Sequence, residues 1–255
     1  MNAANMPSRP RSTLALLGAV FVMCAGTASA NGSDLTAFIQ RAEKMAQLNR
    51  SLRADVRVTR ADGSQDTAVI LADPARGRAF VAVKSDGFRA LAPLAWKQGK
   101  SIGKGGAAPL GADDSLGALG LRATDLFPAW GHDYATAFIS DETTHEKTVT
   151  IYGTKQIPYS LFVITFDKER MVPTLIKYYR ERFNNLVRLR KDESYTMVGA
   201  RPRPQKITIT DYADNTTTTY DVTWTEAQSL PAPLFDEATF ATAEVPWRED
   251  AALAP

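Results

Sequence analysis

The sequence predicts a mainly β fold of the α+β class: a meandering antiparallel sheet with one N-terminal helix. Three observations predict it. Short segments rich in Val, Ile, Thr, Tyr and Phe recur between turn residues through most of the chain. Only one long stretch, near residue 40, has helical spacing, and no linker divides the chain in two. The 255 residues are 44% hydrophobic and 23% charged, a composition that excludes disorder throughout.

Residues 1–30 read as a secretory signal. Arg9 and Arg11 precede an apolar run from Leu14 to Ala25, and Ala28-Ser29-Ala30 gives a signal peptidase its small residues. We expect cleavage after Ala30, leaving residues 31–255 as a single domain, exported to the periplasm as a soluble protein. The apolar run is too short for a retained span, which takes roughly 20 residues. Cys24, the only cysteine, lies inside this leader behind Met23, where lipoprotein processing would want a small residue. The mature domain is therefore expected to lack disulfides, thiol nucleophiles and cysteine metal ligands.

Ser33 can cap a helix on which Leu35, Phe38, Ile39, Ala42, Met45 and Ala46 form one apolar stripe. The period then changes to two: Leu52, Ala54, Val56 and Val58 alternate with Arg53, Asp55, Arg57 and Thr59, and Asp62-Gly63 supplies a tight turn. Further strands are expected at 67–72, 78–84, 135–140, 147–152, 161–166, 174–181, 186–191, 206–211 and 216–225. Between Trp96 and Leu121 seven glycines crowd a stretch poor in strand formers, which reads as a long loop or lid. A short helix capped at Thr124 or Asp125 is expected within 119–130, and a helical turn within 234–240.

A sheet of this many strands needs its apolar face covered, and one substantial helix with two short helical pieces covers it incompletely. It can close into a barrel, stack as a sandwich, or curl around the helices and leave an apolar hollow. Curling suits a chain whose helix comes first.

The order and local phrasing resemble the periplasmic outer-membrane lipoprotein-sorting family, the LolA-like and LolB-like carriers. The resemblance rests on the leader, the helix 35–48, the strand 52–60, and Leu116-Gly117-Ala118-Leu119-Gly120 running into Thr124-Asp125-Leu126. It rests above all on the C-terminal half, in Leu161-Phe162-Val163-Ile164-Thr165-Phe166-Asp167, Pro173-Thr174-Leu175-Ile176-Lys177-Tyr178-Tyr179, Arg203-Pro204-Gln205-Lys206-Ile207 with Thr216–Thr219, and the closing turn at 230–240. It implies a strongly curved, unclosed antiparallel sheet, a half-barrel wrapped over the N-terminal helix and short lid helices. Its hollow holds the acyl chains of lipoproteins or other lipids on their way to the outer membrane, in a monomer with no cofactor. Neither Arg76 nor Arg78 is assigned the role of the arginine that sets the closed state near the mouth of better-studied carriers.

A lining for that hollow is expected from Val56, Val58, Val69 and Leu71 on the first two strands, with Leu119, Leu126 and Ile164. The aromatics Phe80, Phe88, Trp96, Phe127, Trp130 and Phe162 complete it, each equally able to be ordinary core, as are Phe166 and Trp224.

Catalytic and metal chemistry find little footing. The only histidines, His132 and His145, would need help from Asp133 or Glu142 to hold a metal, and these read as solvated loop residues. No G-x-S-x-G is present. Gly99-Lys100-Ser101 imitates the end of a phosphate loop, but Leu94 stands where glycine is required. Paired carboxylates Asp113-Asp114 and Asp192-Glu193 read as solubility features. No enzyme activity and no metal are expected.

Lysine and arginine number 30 against 28 acids, and without Arg9 and Arg11 the two signs balance, so nucleic acid is not an expected partner. Arg180, Arg182, Arg188, Arg190 and Lys191 cluster on one hairpin, expected to be a solvated strand face diluted by Glu181, Asp192 and Glu193. The second reading follows from it: a periplasmic adaptor that docks this face on an inner-membrane transporter and transfers nothing itself.

Overall fold

A computed structural model of the chain describes residues 30–94, 99–103, 106–111, 114–126, 130, 134–153, 159–181 and 184–248. Helix α1 (Ala30–Ala46) leads into six strands, β1 (Leu52–Arg60), β2 (Gln65–Asp73), β3 (Arg78–Val83), β4 (Arg89–Pro93), β5 (Gly99–Gly103) and β6 (Gly106–Leu110). A 3-10 turn (Gly117–Leu119) and the one-turn helix α2 (Ala123–Leu126) follow. The second run comprises β7 (Tyr134–Glu142), β8 (Glu146–Gly153), β9 (Leu161–Asp167), β10 (Val172–Tyr179), β11 (Leu186–Val198), β12 (Arg201–Asp211) and β13 (Thr216–Glu226), ending in a 3-10 turn at Ala232–Phe235.

Among the described residues all strands belong to one antiparallel sheet, ordered β6-β5-β4-β3-β2-β1-β13-β12-β11-β10-β9-β8-β7. Every pairing but one joins neighbours in sequence. The exception, β1 with β13, sets Val56 against Val222 and Val58 against Tyr220, and fuses two meanders into one sheet. The edges β6 and β7 stay unpaired with each other, so the sheet is open, which decides between the barrel, sandwich and curled alternatives.

The period of two sorts side chains onto two faces. On the inner face, Ala54, Val56, Val58, Ile70, Val81, Phe88, Ile207, Ile209 and Tyr220 pack with Leu116, Leu119 and Leu121 from the glycine-rich segment. Farther along the same face, Leu35, Ile39 and Ala42 of α1 pack on Val149, Ile151, Phe162, Ile164, Phe166 and Ile176, with Trp130. Trp130 and Phe38 each meet Phe166 edge to face, at ring separations of 5.7 and 5.4 Å. On the outer face, Val69, Leu71, Phe80, Ala82 and Leu91 lie under Leu234, Phe235, Phe240 and Val245 of the C-terminal segment.

Three expectations change. Helix α1 starts at Ala30, so Ser33 is a helical residue and not the cap; a capping residue has non-helical backbone angles. The glycine-rich stretch is not one long loop: its first part forms the edge hairpin β5–β6, and β4, absent from the expected strands, precedes it. Glycine and alanine carry weak strand preference alone, and pairing against β3 and β4 overrides it. Thr124 and Asp125 lie inside α2 and do not cap it.

The turn at Asp62-Gly63 forms as expected. Gly63 has φ +81°, and the Ser64 amide donates to Asp62 Oδ1 at 2.9 Å.

Candidate functional site

The last part of the glycine-rich segment is fastened to the inner face through its backbone. The Ala118 amide donates to Asp86 Oδ2 at 2.7 Å. Three consecutive carbonyls then accept from the sheet: Ala118 from Arg60 Nη2 (2.7 Å), Leu119 from the Tyr220 hydroxyl (2.6 Å) and Gly120 from Arg188 Nη2 (3.0 Å). Gly117 makes the approach possible: its φ is +60°, and a Cβ there would stand 2.5 Å from that of Phe88.

Helix α2 is held by charge. Asp125 is buried, with its Oδ2 2.7 Å from Arg188 Nη1 and its Oδ1 accepting from the Tyr178 hydroxyl at 3.1 Å. Arg190 donates to the Asp125 carbonyl at 2.5 Å and grips Asp192 with two bonds, Nε to Oδ1 at 2.7 Å and Nη2 to Oδ2 at 2.8 Å. Burial works to lower the Arg188 and Arg190 pKa values, but the charges of Asp125 and Asp192 overturn it and hold both above the ordinary arginine value. Burial raises the Asp192 pKa against the pull of Arg190, and drives the Tyr178 phenol well up.

This arrangement corrects two sequence expectations. Arg188 and Arg190 are not a solvated strand face; they point inward, because the period of two that places Ile176 and Tyr178 on the inner face of β10 places their partners Arg190 and Arg188 there too. Asp192 is likewise buried, whereas Glu193, paired with exposed Lys191, stays outside. Arg182 lies outside the described residues.

Between the two inner clusters is a cavity of about 60 Å³. Its apolar wall is Leu48, Leu126, Trp130, Ile207 and Trp224, with Pro202 and Pro204; its polar wall is Asp125, Arg190, Asp192, Tyr195 and Arg203. Arg203 also closes α1, donating to the carbonyls of Ala46 (2.7 Å) and Gln47 (2.8 Å) at the helix's negative end.

The residues expected to line one hollow fall into four groups. Leu126 and Trp130 line the cavity. Val56, Val58, Phe88 and Leu119 pack in the first inner cluster, and Phe162 and Ile164 in the cluster beneath α1. Val69, Leu71 and Phe80 face the opposite side under the C-terminal segment, since each is one residue out of phase with the inner-facing Ala68, Ile70, Ala79 and Val81. Trp96 and Phe127 lie outside the described residues. The lining from β11 and β12 was missed, although Pro202, Pro204 and Ile207 with Arg203 mark a strand carrying both apolar and charged groups.

Arg76 and Arg78 stand on the outer face. Arg78 donates to the Phe235 carbonyl at 2.9 Å and pairs with Glu237; Arg76 pairs with Asp73 and stacks 5.6 Å from the Phe235 ring. Both fasten the C-terminal segment. His145 is exposed, and His132 and Asp133 lie outside the described residues. Among the described residues no three His, Cys, Asp or Glu side chains are grouped to hold a metal, and no helix is long and apolar enough to cross a membrane.

No protein-family model and no curated protein sequence matches the chain. Solved structures do. It is similar to an outer membrane lipoprotein-sorting protein domain from Vibrio parahaemolyticus, with a TM-score of 0.66 at 12% identity over 83% of this chain and 99% of that one. It is similar also to a DUF1329 family protein from Desulfovibrio piger (0.65, 10% identity, 81% and 97%) and to a LolA superfamily protein from Nitrosomonas europaea (0.60, 13% identity, 79% and 97%). The open sheet with few helices is thus a fold that the chain shares with these three structures.

Proposed function

We propose that the protein is a periplasmic, non-enzymatic carrier that takes acyl chains of a lipoprotein or another lipid between the two inner clusters of its sheet. One observation carries this reading: among the described residues the inner face is roofed by α1, α2, Trp130 and the fastened glycine-rich segment, and a cavity remains between the clusters where these pieces meet. Transfer into such a space gains about 0.8 kcal/mol per methylene removed from water, enough to hold a chain without chemistry.

At about 60 Å³ the cavity admits a few water-sized groups, so in this reading a long chain enters by displacing α2. The polar contacts holding α2 are Asp125 on Arg188 and Tyr178, and its carbonyl on Arg190, beside the apolar packing of Ala123 and Leu126. The conformational change therefore exchanges these contacts for apolar burial of the cargo.

Titration with a fluorescent acyl-chain probe tests the reading. The wild-type chain binds it saturably, and Leu126→Ala and Trp130→Ala change the affinity while the far-UV spectrum of the sheet persists. A chain that ignores the probe overturns the proposal. The adaptor reading is less well supported, since of the two arginines that would have formed the docking face Arg188 is buried and Arg190 turns inward onto Asp192 and the Asp125 carbonyl.

A further inference from the structure

The polar wall carries Asp125 and Asp192 with Arg190 and Arg203, but once Arg188 behind Asp125 is counted, its pairing leaves one cation over. Arg190 is matched by Asp192 through two bonds, and Asp125 by Arg188. Arg203 is matched by nothing of opposite charge. It is 3% exposed, its bonds go to the Ala46 and Gln47 carbonyls, and it forms no ion pair among the described residues. Its Nε is buried without a hydrogen-bond partner. The charge that acts on it is that of another cation, Arg201, which donates to the Lys44 and Gln47 carbonyls.

A buried cation with no counter-charge is costly, and a buried donor left unpaired adds to the cost. Helix-end carbonyls offset part of it, carrying only about half an elementary charge between them. The surroundings register the deficit: burial, then Arg201, pushes the Arg203 guanidinium down to about 10. Beside this cation lie the apolar groups that suit a hydrocarbon tail: Trp224, whose ring is 5.9 Å from the guanidinium carbon, Leu48 and Ile207. A positive terminus and an apolar run in one cavity match a molecule with one negative head and one greasy tail.

Resting on the carrier reading above, we propose that the cavity selects anionic amphiphiles, with Arg203 pairing to the carboxylate or phosphate head, the first methylenes beside Trp224, and the tail running on toward Ile207 and Leu126.

Calorimetric titration of the full chain with decanoate, decyl phosphate, methyl decanoate and decyltrimethylammonium tests it. At least one anion binds about tenfold or more tightly than the ester, the size of a charge-assisted hydrogen bond, and the cation binds weakest. Which anion leads distinguishes a carboxylate head from a phosphate head. Arg203→Gln brings the anions to the level of the ester, and Arg201→Gln retains the preference. Because Arg203 also closes α1, the head is located in the wild-type chain as well: 2-bromodecanoate quenches Trp224 emission, assigned by difference from Trp224→Phe, more than 10-bromodecanoate does. Equal binding of ester and anions, a preference that survives Arg203→Gln, or stronger quenching by the tail-labelled probe overturns the inference and leaves the carrier reading standing. No binding by any of the four defeats both.

Discussion

At the residue scale, the contacts that matter are a few buried polar groups in an otherwise aliphatic interior. Asp125 is the clearest case. With Asp125→Ala, Arg188 becomes a buried cation with only the Gly120 carbonyl to bond, and the variant is expected to lose about 3–5 kcal/mol of stability in urea titrations. A loss below about 1 kcal/mol would mean that water reaches Arg188. Asp66 makes the opposite use of burial. Burial alone would raise its pKa, but bonds from Ser85, the Thr67 amide and Arg60 together win and hold it below the ordinary carboxylate value. A depressed folded-state pKa contributes stability above the unfolded value near 3.8 and loses it as pH falls through the folded value. The acid limb of stability against pH should therefore be shallower in Asp66→Asn, read by thermal melts below pH 5. These roles were not legible in the sequence. Arg188 and Asp192 look like surface charges until strand phase is known, and phase is set by pairing with β10, not by local composition.

At the scale of elements, alternation and turn residues exposed most strands, because a half-buried strand writes its period into the sequence. The ends of β11 and β12 were invisible, since the proline-bearing stretch 201–204 reads as a loop although it pairs with 195–198. Likewise the hairpin β5–β6 hides in Gly and Ala at an edge, where little side chain is buried. The glycine-rich segment beyond it is fixed by backbone bonds and by the space left at Gly117. Gly117→Ala should cost roughly 2–4 kcal/mol, as a methyl group meets Phe88 and the backbone angle is unfavourable. Denaturant titration would show it, and near-neutral behaviour would mean the segment does not sit against Phe88. The C-terminal segment covers the outer face through Leu234, Phe235 and Phe240, so Phe240→Ala should destabilise the chain by about 3–5 kcal/mol without altering acyl-probe binding on the inner face.

At the scale of the whole molecule, the open sheet follows from a shortage of helix. Among the described residues one long helix and one turn of α-helix cover the inner face of a sheet whose two meanders are joined through β1 and β13. The seam is apolar, Ala54, Val56 and Val58 against Trp224, Val222 and Tyr220, and it keeps both halves of the inner face in one piece. What remains between the clusters is small and mixed in character, greasy on one wall and lined on the other by Arg190 and Arg203 with Asp125 and Asp192. The sequence pattern reached the overall shape and two of the cavity residues, Leu126 and Trp130. It could not reach the rest, because a lining shared among α1, α2, β11, β12 and β13 exists only after the chain has folded.

Native mass spectrometry of the gently purified protein, with lipid identification, tests the carrier account most directly. A population carrying a stoichiometric lipid, released by Trp130→Ala or Leu126→Ala, is the predicted spectrum. A single peak at the mass of the bare polypeptide, unchanged after incubation with bilayer vesicles, would contradict it.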